Sequence, residues 1–195
     1  MNQFDRQTAL LIVDYQNDFA DPSGSLYVAG GERLLDAINA EIARAISSGG
    51  LMVYTQDWHP PSTPHFAKDG GVWPVHCVAG SWGAELFPGL EVGDAERIRK
   101  GAAGEDGYSA FSVRDPESGL SNGTGLGERL RSAGIQRVVV CGLATDYCVK
   151  ETALDGVRWG FAVVLRRDLV RAVDLNTGDG ERALAEMAAA GVGLA

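Results

Sequence analysis

Cysteine is scarce in this sequence. Three residues in 195 is an odd and small number, which argues against a secreted scaffold stapled by disulfides, since such chains carry paired and more numerous cysteines. Cys77, Cys141 and Cys148 are expected as thiols, and the default for any one of them is a small buried hydrophobe. Basic charge is also short: 17 Lys and Arg face 26 Asp and Glu, for a net charge of −9. The densest basic stretch, Arg97, Arg99 and Lys100, is only local. Nucleic acid and anionic membranes demand clustered cations that displace counterions, so neither is expected as a partner. Long hydrophobic runs are missing as well. Ala9 to Val13, the longest near the start, is far too short for a membrane span or a signal segment and lacks a basic flank, which sets the expectation of a cytoplasmic protein.

What is present suits one compact domain over residues 1–195. Hydrophobic residues make up 45% of the chain and charged residues 22%, enough apolar surface for a substantial core. Thr8 to Val13 reads as a strand ending in Asp14. Leu34, Leu35, Ile38, Ile42 and Ile46 then recur at helical spacing until Gly49-Gly50. Leu51 to Thr55 gives a second strand and Glu96 to Arg99, running into Lys100, a third. A glycine-rich stretch from Ser118 to Gly127 leads into a helix around Leu126 to Ser132, capped by Gly134. Arg137 to Leu143 shows no polar alternation and reads as a strand buried on both faces. Asp146 to Val157 follows as a helix, Phe161 to Leu165 as a strand, Gly180 to Ala190 as a helix and Val192 to Ala195 as a last short strand. Continuously apolar strands alternating with helices predict an α/β fold, a parallel sheet with helices on both faces. Ligands of such sheets sit at the carboxyl ends of the strands, which picks out Asp14, Asp57, Lys100 and the segment after Leu143.

Between the second and third strands, residues 56–88 are rich in Pro, Gly and Trp with no sustained period. A loop of that length inside a compact domain is usually functional or disordered. This one holds every histidine of the chain: His59, His65 and His76 fall in one window of 18 residues beside Asp57. A mixed carboxylate and imidazole set suits a borderline divalent ion such as zinc, iron or manganese. The plain alternative is that one or two of these histidines are satisfied core or surface residues.

Asp14 follows directly on buried strand and is a candidate acid or base, whereas Asp18 or Asn17 is expected to cap the next turn. Lys100 alone reads as a solvated lysine, and only its position gives it weight. Cys148 lies in Gly142-Leu143-Ala144-Thr145-Asp146-Tyr147-Cys148-Val149, a strand, a tight turn and a helix start. A thiol in the first turn of a helix is favoured as thiolate by the dipole and nearby backbone donors.

Taken together, Ile12-Val13-Asp14 with Gln16-Asn17-Asp18-Phe19, Asp57-Trp58-His59, His65-Phe66, Trp73-Pro74-Val75-His76-Cys77, Lys100-Gly101 and the segment from Gly142 to Val149 closely resemble the nicotinamidases of the isochorismatase-like hydrolase superfamily. The matches keep the family's order from residue 11 to about residue 150. The resemblance implies a catalytic triad of Asp14, Lys100 and Cys148 and a metal site of Asp57, His59, His65 and His76. It further implies a ring pocket lined by Phe19, Trp73, Tyr108 and Tyr147, an oxyanion hole from the backbone N–H groups of Ala144 and Cys148, and a cis peptide between Leu143 and Ala144. Tyr147 stands where some members carry His, which bears on the pocket rim. The implied reaction is hydrolysis of nicotinamide to nicotinate and ammonia through a thioester, in NAD salvage.

Three rival readings differ from this one. A sister amidohydrolase would act on N-carbamoyl, biuret-like or ureidoacrylate substrates with the same triad. A non-catalytic metal-binding or scaffolding protein would require a broken triad or ligand set, and neither is broken. A thiol-redox protein would want a C-x-x-C pair, which Cys141 and Cys148 do not form. The composition is compatible with a homo-oligomer and locates no interface.

Overall fold

Strand β1 (Thr8–Val13) is buried at every position, and its side chains divide by parity between two separate cores. Ala9, Leu11 and Val13 face one, Leu10 and Ile12 the other. That is the two-residue period of a strand covered on both faces. A computed structural model describes residues 4–116 and 118–195 of the chain. After β1 come a short helix α1 (Asn17–Ala20), the helix α2 (Leu35–Ser47) entered through a tight turn at Gly31–Leu34, and β2 (Leu51–Asp57). The long loop then leads to β3 (Glu96–Lys100), a small hairpin of β4 (Ser112–Arg114) and β5 (Ser121–Gly123), and α3 (Leu126–Ser132). The remainder is β6 (Arg137–Leu143), a wide π-type turn at Thr145–Val149, α4 (Lys150–Arg158), β7 (Ala162–Arg171), α5 (Asp179–Ala189) and β8 (Gly193–Leu194).

Six strands pair in the order β3-β2-β1-β6-β7-β8, every pair parallel. Leu126, Leu130, Val149, Ala153 and Met187 bring α3, α4 and α5 onto one face, and Ile38, Ile42 and Ala45 bring α2 onto the other. The α/β architecture expected from the sequence is therefore the one found. The chain winds outward from β1 to β3, returns, and winds the other way from β6 to β8. Its switch point lies between β1 and β6, the place where open α/β sheets bind ligands. Among the described residues no helix is long and apolar enough to cross a membrane.

The differences from the sequence reading are local and have physical causes. Strand β2 runs two residues past Thr55, to Asp57, because it stays paired with β3 to its end. Strand β7 continues through the polar Arg166-Arg167-Asp168 to Arg171, since after a register shift it pairs with β6 again, Leu143 opposite Arg171. The β4–β5 hairpin was not foreseen, its strands being three residues each and partly or fully exposed. Ile46, placed on the buried face by spacing, is 60% exposed. The helix expected from Asp146 begins instead with the π-type turn, and α-geometry starts only at Lys150. The Leu143-Ala144 peptide, by contrast, is cis as the resemblance implied.

Candidate active site

Register brings the strand ends together. Asp57 and Lys100 are cross-strand partners at the ends of β2 and β3, and Val13 at the end of β1 pairs with Gly142 of β6. That second approach requires glycine: Gly142 has φ +112°, and a Cβ there would lie 2.1 Å from the Val13 carbonyl oxygen. The chain leaves β1 through Asp14 at φ +44°, an uncommon left-handed conformation for a residue with a side chain. Thr55 on β2 holds it there. Its hydroxyl donates to Asp14 Oδ1 at 2.6 Å and accepts from the Asp14 N–H at 3.0 Å.

Lys100 is fully buried, far from the solvated lysine that its neighbours in sequence suggest. Its ammonium is 2.7 Å from Asp14 Oδ2, donates to Asp57 Oδ1 and to the Gly107 carbonyl at 2.6 Å, and lies 3.6 Å from Cys148 Sγ. Carboxylate oxygens of Asp14 and Asp57 and the Cys148 sulfur all fall within 4.8 Å of one another. The structure thus assembles Asp14, Lys100 and Cys148 into one buried cluster.

Charges in that cluster set the protonation states. Burial would lower the Lys100 ammonium, but Asp14 and Asp57 outweigh it and hold the lysine well above its usual range. Burial would likewise raise Asp57, yet Lys100 and the neighbouring histidines keep it below the carboxylate range. In Asp14 the balance falls the other way: burial raises it, opposed by Lys100 and reinforced by Asp57. Burial also pushes the Cys148 thiol well up despite Lys100. The expectation of a thiolate stabilised by a helix start is therefore corrected. Cys148 sits in a dry π-type turn as a thiol, and it needs a base to remove its proton.

The three histidines converge beside this cluster, with ring nitrogens within 4.8 Å of one another. Nε2 of His59 and Nε2 of His76 each lie 3.8 Å from Asp57 Oδ2. His76 Nδ1 is 2.7 Å from the Pro74 carbonyl, and His65 Nδ1 is 3.1 Å from Asp106 Oδ1. Both contacts favour a proton on Nδ1 and leave Nε2 as a lone-pair donor. Burial lowers His65 and brings His76 down to about 4, so both rings are neutral at neutral pH. Neither nitrogen of His59 has a hydrogen-bond partner although the ring is buried. Unpartnered buried polar atoms are costly, and three imidazoles next to a carboxylate form a donor set that fits a divalent cation. The plain alternative of separately satisfied histidines does not describe this arrangement. Gly101 permits it, because a Cβ there would come within 2.6 Å of the His59 ring.

Next to both groups a pocket is walled by Phe19, Trp73, Tyr108 and Tyr147, with Leu26, Leu143, Ala144 and Val173 completing it and Cys148, Asp57, His65 and His76 at its polar side. Trp73 Nε1 donates to the Tyr108 hydroxyl at 2.8 Å, and the Trp73 and Tyr147 rings meet edge to face at 4.8 Å. Among the described residues no Lys or Arg lines it.

Several contributors escaped the sequence reading. Gln16 clamps β1 to β2 and the loop, donating to the carbonyls of Asp57 and Ala84 and accepting from the Asp57 N–H. Asp18 and Asn17 do not cap the next turn. The Asp18 carboxylate takes the N–H groups of Ser25 and Cys77, and Asn17 donates to the Trp82 carbonyl, so both brace the loop. Thr55, Asp106, Leu26 and Val173 carried no sequence signal, since each acts through a distant partner. Cys77 and Cys141 are buried in the core on the α2 face, without a disulfide among the described residues.

Comparison with known proteins agrees with this geometry. The model of the isochorismatase domain matches residues 8–195. A nicotinamidase of Escherichia coli is 38% identical, the alignment covering 95% of this chain and 93% of that protein. Among solved structures, PnC1 from L. infantum in complex with nicotinate is 45% identical with a TM-score of 0.87, covering 97% of this chain and 92% of that one. The pyrazinamidase of Pyrococcus horikoshii in complex with zinc is 39% identical with a TM-score of 0.86, covering 97% and 98%. With the domain model spanning the whole sheet and each strand end that feeds the site, the chain belongs to the isochorismatase-domain family.

Proposed function

We propose that this protein is a cysteine amidohydrolase that converts nicotinamide to nicotinate and ammonia, a step of NAD salvage. The observation that carries the reading is the buried Asp14–Lys100–Cys148 cluster opening onto a pocket walled by aromatic rings and, among the described residues, free of Lys and Arg.

In this reading Asp14 takes the proton of the Cys148 thiol, and the thiolate attacks the carboxamide carbon. Lys100 stays protonated throughout and balances the negative charge as it moves from carboxylate to sulfur. The backbone N–H groups of Ala144 and Cys148 receive the developing oxyanion, contacts worth about 3 kcal/mol each in other acyl-transfer enzymes. Asp14 passes its proton to the nitrogen as the C–N bond breaks, and ammonia leaves. A water then adds to the thioester, giving a proton to Asp14 that returns to sulfur as nicotinate departs. Phe19, Trp73, Tyr108 and Tyr147 sandwich the ring.

Asp57, His59, His65 and His76 would hold a divalent ion, zinc, iron or manganese, which when bound supplies a fixed positive charge and Lewis acidity beside the pocket. The zinc complex of the Pyrococcus relative supports zinc as one occupant. Three buried thiols without a disulfide among the described residues fit a reducing compartment such as the cytoplasm.

Sister activities on N-carbamoyl, biuret-like or ureidoacrylate compounds are disfavoured by the pocket. The carboxylate of an N-carbamoyl amino acid or of ureidoacrylate calls for a Lys or Arg partner, and among the described residues none lines the pocket. The test is ammonia release from nicotinamide by metal-replete protein beside Cys148→Ala, with those compounds in parallel. Turnover of nicotinamide lost in the variant supports both reaction and nucleophile. Turnover of a urea alone would move the protein to a sister activity.

A further inference from the structure

Asp106 belongs neither to the proposed metal ligands nor to the Asp14–Lys100–Cys148 cluster, yet it touches one ligand and little else. It lies in the loop between β3 and β4, and its main chain is fixed by two hydrogen bonds with Arg114. Its N–H donates to the Arg114 carbonyl at 2.7 Å, and its own carbonyl accepts from the Arg114 N–H at 2.8 Å. The hairpin thus holds the Asp106 carboxylate at a set height, 3.1 Å from His65 Nδ1. The other ring contacts of His65 are with aromatic neighbours, His59 stacked at 4.8 Å and Tyr108 at 5.6 Å between centroids. Such packing restricts the tilt of an imidazole but does not choose which nitrogen faces inward. A hydrogen bond to Nδ1 does choose, and a carboxylate acceptor also strengthens the opposite nitrogen as a donor. His76 receives the same service from a neutral carbonyl, that of Pro74. His59 has no such partner. Of the three histidines, His65 is the one whose Nδ1 meets a carboxylate, and that carboxylate comes from a different loop.

We infer that Asp106 is a positioning residue for the metal centre: it fixes His65 with Nδ1 protonated and Nε2 aimed at the ion, and so sets metal affinity from outside the ligand set. The inference rests on the metal-centre reading above. The site is suited to a clean test, because the Asp106 side chain is 36% exposed and borders an open groove with Ser112 and Arg114. Shortening it should leave no buried cavity.

Whole protein would be stripped of metal and reloaded with zinc or cobalt(II), comparing wild type, Asp106→Ala and Asp106→Asn. Affinity would be read by chelator competition, ligand geometry by the visible spectrum of the cobalt form, and folding by the melting temperature of the metal-free proteins. Asp106→Ala should bind zinc about 10- to 100-fold more weakly, the usual loss for such an outer partner, with an altered cobalt spectrum and an unchanged metal-free melting temperature. Asp106→Asn keeps an acceptor oxygen and should recover most of the loss. Unchanged affinity in the Ala variant overturns the inference, and so does an Asn variant as weak as Ala, which would mean a general charge effect instead of an aimed contact. A wild-type protein that takes up no divalent ion would instead overturn the metal-centre reading itself.

Discussion

Replacing Thr55 by Val is a nearly isosteric change one layer behind the chemistry, and its cost can be worked from the structure. The threonine hydroxyl serves Asp14 twice, donating to Oδ1 at 2.6 Å and accepting from the backbone N–H at 3.0 Å, in a place with no solvent access. Valine removes both partners at once. A hydrogen bond to a charged group contributes about 1.5–3 kcal/mol, and a buried N–H left unpaired costs a further ~1–3 kcal/mol. The sum, about 2.5–6 kcal/mol, corresponds in a protein of this size to a fall in Tm of roughly 5–24 °C. Asp14 also holds φ +44°, a conformation costing about 1–3 kcal/mol that persists only while its surroundings enforce it. Without the Thr55 clamp the carboxylate should turn away from Cys148 and Lys100, so amide turnover should drop at least about tenfold, consistent with the rate cost of small misplacements. Thr55→Ser is the control: it keeps the hydroxyl and loses one methyl group, at about 1 kcal/mol. Urea unfolding and ammonia release at equal metal content measure both effects. If the Val protein matched the Ser protein in stability and turnover, the hydroxyl would not be holding Asp14, and the reasoning would fail.

Two further outcomes follow from the same cluster. Lys100→Met leaves the carboxylates of Asp14 and Asp57 facing each other without their cation and should destabilise the protein by about 3–5 kcal/mol while abolishing turnover; adding Asp14→Asn should restore part of the stability and none of the activity, as unfolding curves of the single and double variants would reveal. Gly101→Ala combines an unfavourable φ of +73° with a Cβ 2.6 Å from the His59 ring; it should cost about 1–2 kcal/mol through the backbone and weaken metal binding through His59, and zinc affinity equal to wild type would contradict that packing.

How much of this was legible in the sequence depended on the range over which each residue acts. Strands β1 and β6 declare themselves, because burial on both faces leaves no room for polar residues and the run of apolar side chains is the signal. Asp14 follows from β1, being the first charged residue after it, whereas Asp57 and Lys100 stood out by their places at or just beyond the ends of the next two strands. The histidines were legible as a cluster since one loop carries them all. Thr55, Gln16 and Asp106 were not, for a different reason. Each works across some 41 residues of sequence, on a partner fixed only by strand register and loop path, and a threonine inside a strand or an aspartate among glycines looks ordinary. The Cys148 environment was misread because a helix start was given its usual electrostatics. The turn is in fact of π type and the Cys148 thiol is buried in it, so desolvation outweighs the nearby positive charge.

The site divides into a half carried by strand ends and a half carried by loops, and the division has consequences. Asp14, Asp57, Lys100 and the segment after Leu143 inherit their places from a parallel sheet whose register is pinned by two cores, and a slip of one residue in any strand would turn its side chains to the opposite face. Proton transfer and nucleophilic attack need that rigidity. His59, His65, His76 and Trp73 come instead from the long loop, which is tied back to the sheet by polar contacts that include those of Gln16, Asp18, Asn17 and Gln56. Loosening one of these ties should change metal and substrate affinity before it changes the chemistry. Lys100 joins the halves, because it contacts both Asp14, the proposed proton acceptor, and Asp57, the proposed metal ligand. Two carboxylates against one ammonium leave the buried cluster one negative charge in excess, which the divalent cation proposed beside Asp57 would offset. The metal set and the Asp14–Lys100–Cys148 cluster are thus a single electrostatic unit, which is why both are built around neighbouring residues of β2 and β3.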